Sequence, residues 1–443
     1  MVATLCLSAH ASRGDLLANA GQSSATPLRE AQHRSAECGE GRLAVLSRRQ
    51  ALKRHDGSYD QKENPVYGSR SLNNMKLRPR QLDVNAQPYV TFVTFFRNDR
   101  YTDDFEARVS RATRFLVRQL QRFRVDAEII LVEWNPPPGE ALLIDSLGPL
   151  RQGGCVQVRG IIVSKEHHQR FRGAHEWGMH PAAAANVGLR RARGQFVSPK
   201  AADSYLSDEI VSVLARRDLA GNTMYRCDRH DVVLGRSELL EADDIALLHR
   251  LQSLECTPHE HRPPPPHWRI RDLHTNACGD FLLMSGALWK SMRGYPLNDT
   301  VLSLDCDSMI MHAAAARGVR ESCLPPACRI YKSAHARLFA NRITQVFSPW
   351  QAIIDNGLGS LRWWRLQTLA RGAFNYPRRK VRGLESVLGP SIERHFVRPA
   401  ERWAQGALPE LAQPADWGLG EVALDERILC RAGWTATSST EVA

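Results

Sequence analysis

The first unbroken apolar run of the chain, Tyr89 to Phe96 (YVTFVTFF), is followed by a helical stripe and then by a second such run. That order constrains the fold more than any other feature. A run of β-branched and aromatic residues with no polar alternation suits a strand buried on both faces of a parallel sheet. Phe105, Val109, Ala112, Leu116, Leu120 and Phe123 then step by four, three, four, four and three. Such steps place them on one face of a helix that packs on the sheet. Ala127 to Val132 (AEIILV) reads as the second buried strand, stopped by Trp134, Asn135 and three prolines that cannot continue a ladder. The unit is βαβ.

The alternation continues with a strand over Val156 to Val163, a helix over Trp177 to Arg193 and a strand over Gln195 to Val197. A further helix opens at Ser207, with Asp208 and Glu209 in its first turn. Alternation of this kind implies an α/β fold with a mostly parallel sheet flanked by helices. Residues 1–88 mix Ser, Arg, Gln, Gly and Asn without a sustained period and read as a flexible basic leader. The α/β domain is expected over 89–340, with a C-terminal extension over 341–443. Between Ala242 and Trp268 the stretch CTPHEHRPPPPHW reads as a loop, and the last thirty or so residues read as an irregular tail. Neither His259, His261 and His267 nor His167, His168, His175 and His180 make a tetrahedral metal set on spacing.

Charge and cysteines narrow the class. The 443 residues carry 59 Lys and Arg against 47 Asp and Glu, a net charge of +12 that favours phosphate-bearing partners. Nucleic acid is not expected, because no recognition helix or aromatic-basic sheet signature accompanies the charge. Ten cysteines without CxxC spacing suit a reducing compartment, and neither a secretory signal nor a membrane span is read. A cytoplasmic location is therefore expected. Peripheral membrane contact through the Trp- and Arg-rich LRWWRLQTLARGAFNYPRRKVRG segment stands as the alternative to a helix covering the domain's own core.

In an open α/β sheet ligands bind at the carboxyl ends of the strands. Arg97 and Asn98 follow the first strand, Glu133 the second, and Ser198 to Asp203 the fourth. A basic group such as Arg97 can meet a diphosphate, and a carboxylate such as Glu133 can accept from a ribose hydroxyl or a base N–H. The same charges can also be simply solvated strand ends.

Ala183 to Asp203 (AAANVGLRRARGQFVSPKAAD) resembles family 2 glycosyltransferases of the GT-A fold, which carry Ala-x-Asn-x-Gly-x-x-x-Ala-x-Gly, a short strand and then DxD. Ala184, Asn186, Gly188, Ala192 and Gly194 match that run. By register the DxD falls on Ala201-Ala202-Asp203, so only the last carboxylate is present. The resemblance implies that Asp203 binds a divalent metal, Mg or Mn, that Asn186 serves the donor or the neighbouring strand, and that Lys200 stands in as a fixed positive charge.

The later block NACGDFLLMSGALWKSMRGYPLNDTVLSLDCDSMIMHAAAARGVR is similar to the second half of the same fold, through Gly279, Trp289, Gly294-Tyr295 and Ala316 to Gly318. Counting back from Gly318 puts Asp307 on the catalytic Asp, with Asp305 and Asp280 as acceptor-binding acids; either Asp305 or Asp307 can instead cap the helix that follows. His335 in the IYKSAH segment corresponds to a further metal ligand. The resemblance implies inverting transfer from a nucleotide-sugar donor to a hydroxyl of a glycan, lipid or small molecule. The alternative is a GT-A-like binding domain without turnover; nucleotidyl transfer is disfavoured because TFFRNDRY lacks the Gly-rich loop of that class. Transfer requires Glu133, Asp203 and Asp307 to meet at one rim of the sheet.

Overall fold

The structure, a computed structural model, describes residues 87–433 apart from 99–103, 149, 151–153, 172–173, 175–177, 234–239, 241–242, 265, 298–305, 334–395 and 410–412. Asp305, His335, the leader up to residue 86 and the Trp- and Arg-rich segment lie outside these residues.

Twelve strands are described: β1 Val90–Phe96, β2 Ala127–Trp134, β3 Val156–Val163, β4 Phe196–Pro199, β5 Ser204–Leu206, β6 Thr223–Arg226, β7 Asp228–Val232, β8 Cys256–His259, β9 Met284–Ser285, β10 Arg320–Cys323, β11 Arg329–Ser333 and β12 Asp425–Cys430. The helices are α1 Phe105–Arg122, α2 Lys165–His168, α3 Pro181–Arg191, α4 Asp208–Arg216, α5 Asp244–Ser253, α6 Gly286–Ser291, α7 Cys306–Ala316 and α8 Arg398–Ala404.

The main sheet runs β12-β3-β2-β1-β4-β9. Its four inner strands are parallel, and β12 and β9 close the two edges antiparallel. The architecture is thus mixed α/β with a mostly parallel sheet flanked by helices. Both faces of β1 are buried. Phe92 and Phe96 pack with Val109, Leu116 and Leu120 of α1, while Val93 packs on the opposite side with Ala184 and Val187 of α3. A second sheet, β5-β11-β7-β8, lies beyond β4.

Two glycines let α3 sit close on the sheet. A Cβ on Gly188 would lie 2.4 Å from a methyl of Val93. One on Gly194 would lie 2.5 Å from the backbone nitrogen of Thr91, so the turn into β4 requires glycine.

Two expectations are corrected. The stretch after Ala242 holds α5, capped by Asp243 through the Ala246 amide at 2.8 Å, and the edge strand β8. Pro258 is tolerated there because β8 pairs on one side only. The expected irregular tail holds β12, fastened to β3, and Trp417, which is buried beneath Arg190. Both were invisible as patterns because each is short and borrows its buried face from elements far away in sequence.

Candidate active site

Strand order brings the chemistry to the carboxyl ends of β1 and β4. Lys200, the residue after β4, donates its amide to the Val93 carbonyl at 2.9 Å and forms an antiparallel bridge with Phe281. That register sets Asp280 opposite Ala201, so a carboxylate from another segment borders the position where the first acid of the triplet is missing. Asp203 lies in the turn between β4 and β5, and β5 pairs with β11 so that Ser204 is opposite Lys332. On its other side β11 runs parallel to β7, with Lys332 beside Asp231. Side chains alternate along a strand, so Arg229, Asp231 and Lys332 share one face.

These side chains form a buried charged set. Lys332 Nζ is 3.5 Å from Asp280 Oδ1 and 3.9 Å from Asp203 Oδ1. Arg229 ion-pairs with Asp280 and with Asp231, and His259 Nε2 is 2.9 Å from Asp231 Oδ2. Burial pushes the Asp280 carboxyl up, but Lys332 and Arg229 outweigh it and hold the group below the usual carboxylate range. Burial pushes the Lys200 ammonium down to about 7, against the pull of Asp203 and Asp280. Its Nζ donates to the Ala201 carbonyl at 2.9 Å.

Asp307 joins the set through the Cys278–Asp280 turn. It stands in the first turn of α7 and is buried. Its Oδ2 faces Gly279 so closely that a Cβ there would lie 2.7 Å away. The Ser308 amide donates to Oδ1 at 2.8 Å. Burial raises its proton affinity, and the Ser308 amide only partly opposes that. Arg226, wholly buried, donates from Nε to the His274 carbonyl and from Nη2 to that of Asn276, both at 3.0 Å. It thereby fixes the segment leading into Gly279 and Asp280.

The remaining expected residues serve the framework. Glu133 is fully buried, and its two oxygens accept the amides of Leu143 at 2.9 Å and Ile144 at 3.0 Å. They start the short 3-10 turn Leu143–Leu147. Asn186 is also bonded to the backbone. Its Nδ2 donates to the Tyr295 carbonyl at 2.9 Å and its Oδ1 accepts the Tyr295 amide at 2.7 Å, which pins the Gly294-Tyr295 turn onto α3. Gly294 has φ +71°, and a Cβ there would strike that Oδ1. Arg97 Nε donates to the Asn135 carbonyl at 2.8 Å, and Asn98 Nδ2 to that of Ala141 at 3.4 Å. Both hold the loop after β2.

Asp203, Asp280, Asp307 and Lys200 are therefore brought together, while the Glu133 oxygens bond the Leu143 and Ile144 amides, so the expected meeting of Glu133, Asp203 and Asp307 is found for the two aspartates. Arg229, Asp231 and Lys332 were missed. Their signal was charge placed inside strands, DRHDV and RIYKS, where apolar residues would otherwise be expected.

Of the two expected metal ligands, Asp203 and His335, only Asp203 lies among the described residues, and no group of three His, Cys, Asp or Glu side chains placed to hold a metal ion is found among those residues. The cation facing Asp203 and Asp280 is an ammonium.

No family model matches this chain, and no curated protein does. Solved structures are similar to it. S. aureus TarS 1-349 in complex with UDP-GlcNAc matches over 56% of this chain and 59% of that one, with 12% identity and a TM-score of 0.35. The mannosyltransferase PcManGT from Pyrobaculum calidifontis, in complex with GDP-Man and Mn2+, matches over 70% of this chain and 87% of that one, with 14% identity and a TM-score of 0.33. This chain thus spans less than two thirds of the first of these structures. Such scores carry no residue roles across to it.

Proposed function

We propose that the chain is a glycosyltransferase that moves a sugar from a nucleotide-diphosphate donor to a hydroxyl acceptor, with inversion. One observation carries the reading: a buried carboxylate, Asp307, against Gly279 and next to the paired charges of Asp280, Lys332 and Arg229 at the carboxyl ends of the strands. Inverting transfer needs one base, positioned to take the acceptor hydroxyl's proton as its oxygen attacks the anomeric carbon from the side opposite the nucleotide. Asp307 has that role. Lys332 and Lys200 meet the charge that builds on the departing diphosphate. Asp280 orients Lys332 and Arg229 and borders the acceptor. No step is assigned to a metal.

The acceptor is a glycan, lipid or small molecule. Peripheral membrane contact through the Trp- and Arg-rich segment is compatible with a lipid acceptor. No helix among the described residues is long and apolar enough to cross a membrane.

Release of nucleoside diphosphate from a panel of nucleotide sugars, by the wild type and by Asp307→Asn, tests this. Turnover by the wild type with loss in the variant is expected. Donor binding without any release by either protein overturns it and leaves the binding-domain reading, which Ala201 at the first acidic position favours.

A further inference from the structure

The carboxylate left in the acidic triplet does not face an open coordination position. The pairing of β5 with β11 sets Lys332 opposite Ser204, one residue after Asp203, and its ammonium lies between the carboxylates of Asp203 and Asp280. The second oxygen of Asp280 is taken by Arg229. Asp231 is matched by Arg229 and His259. The three carboxylates Asp203, Asp231 and Asp280 are thus met by Lys332, Arg229 and His259, with Lys200 near Asp203 and Asp280.

A divalent ion binds carboxylate oxygens at about 2.0–2.6 Å and takes six or more ligands. Here it would have to displace Lys332 from between its two partners, in a buried region where like charges are poorly screened. Ala201 offers no donor in return.

We infer that Lys332 occupies the place of a divalent ion, and that the site receives a nucleoside diphosphate through built-in ammonium groups, Lys332 with Lys200 beside it. An ammonium has three N–H donors and bears its charge without coordination geometry. Its contacts with Asp203 and Asp280, at 3.9 and 3.5 Å, are longer than a short charge-assisted hydrogen bond. The diphosphate half of the inference rests on the proposed function, and the metal half does not.

Titration of the full chain with Mn2+, followed by the EPR signal of the unbound ion and without nucleotide, tests the metal half. The wild type should show no saturable binding below about 1 mM. Lys332→Met, shown to be folded by its melting transition, should gain Mn2+ affinity by about tenfold or more, because Asp203 and Asp280 then face an apolar gap. Adding Asp203→Asn to that variant should remove the gain. Wild-type binding tighter than about 100 µM that Asp203→Asn abolishes would overturn the inference. So would a folded Lys332→Met that gains nothing.

Calorimetry with UDP and with GDP, in EDTA and again with Mn2+, tests the other half. Affinities within about twofold of each other are expected, and a gain of about tenfold on adding Mn2+ overturns it. If neither nucleotide binds under either condition, the diphosphate half and the proposed function both fail, while the EPR titration still decides the metal half.

Discussion

Two buried charged clusters sit at opposite ends of the strands, and their contacts differ in kind. At the amino ends, Glu128 is wholly buried and makes four short hydrogen bonds. It accepts from Thr91 Oγ1 at 2.9 Å, the Arg193 amide at 3.0 Å, Arg193 Nε at 2.8 Å and Arg159 Nε at 3.0 Å. At the carboxyl ends, Lys332 stands 3.5 and 3.9 Å from its two carboxylates. The first cluster welds the turn after α3 to β1, β2 and β3, and its hydrogen bonds are complete. In the second, Arg229 and His259 are held as closely to Asp280 and Asp231, and the difference lies at Lys332, whose ammonium stands farther from Asp203 and Asp280.

The sharpest way to break this contrast is at Asp307. Asp307→Asn keeps shape and removes the base, so transfer should fall by about 10²–10⁴-fold while donor affinity stays within a few fold. An unchanged rate in a donor-saturated assay would move the chemistry elsewhere. At the opposite end, Glu128→Ala strands Arg159 and Arg193 near the sheet and should cost about 3–5 kcal/mol in urea unfolding. Equal loss from Asp203→Asn would erase the distinction between the clusters.

Asn186→Ala sharpens it further, since it leaves the Tyr295 amide without its acceptor in a buried turn. A loss of about 1–3 kcal/mol is expected, with nucleoside diphosphate affinity in calorimetry unaltered. Weakened binding in a protein of normal stability would return Asn186 to the donor site.

The smallest effect is at Lys200. Its ammonium titrates near 7 in the fold against an ordinary value of 10.5. Between those values the unfolded chain binds the proton and the fold does not, so this residue makes stability rise with pH across that window. Lys200→Met should flatten that rise in melting temperature. It should also melt a few degrees higher near pH 7, roughly 2–4 °C for each kcal/mol, while binding UDP or GDP less tightly. A variant that melts lower and binds equally well would make Lys200 a structural residue.

Much of the fold could be read from particular residues. YVTFVTFF, the stripe from Phe105 to Phe123, AEIILV and the Val156 to Val163 run have periods that only one kind of element satisfies, and each stands as an element of the expected type. Gly188 and Gly194 were readable because helix and sheet approach too closely for a side chain. The site was legible only in part. Asp203, Asp280 and Asp307 stood out as acids near turns, whereas Glu133 and Asn186 looked like ligand groups because composition cannot tell a buried hydrogen-bond hub from an exposed one. Lys332 was hidden inside β11, where a charged residue leaves no pattern along the chain.

By itself, then, the order of residues determined the α/β alternation, the parallel strands and the small-residue helix, because local period and turn chemistry act over a few residues. Tertiary structure alone decided that β12 closes the edge beside β3 and that Lys332 lies between Asp203 and Asp280. Those pairings join residues far apart in the chain through strand register, and electrostatic neighbours in three dimensions leave no periodic trace along one.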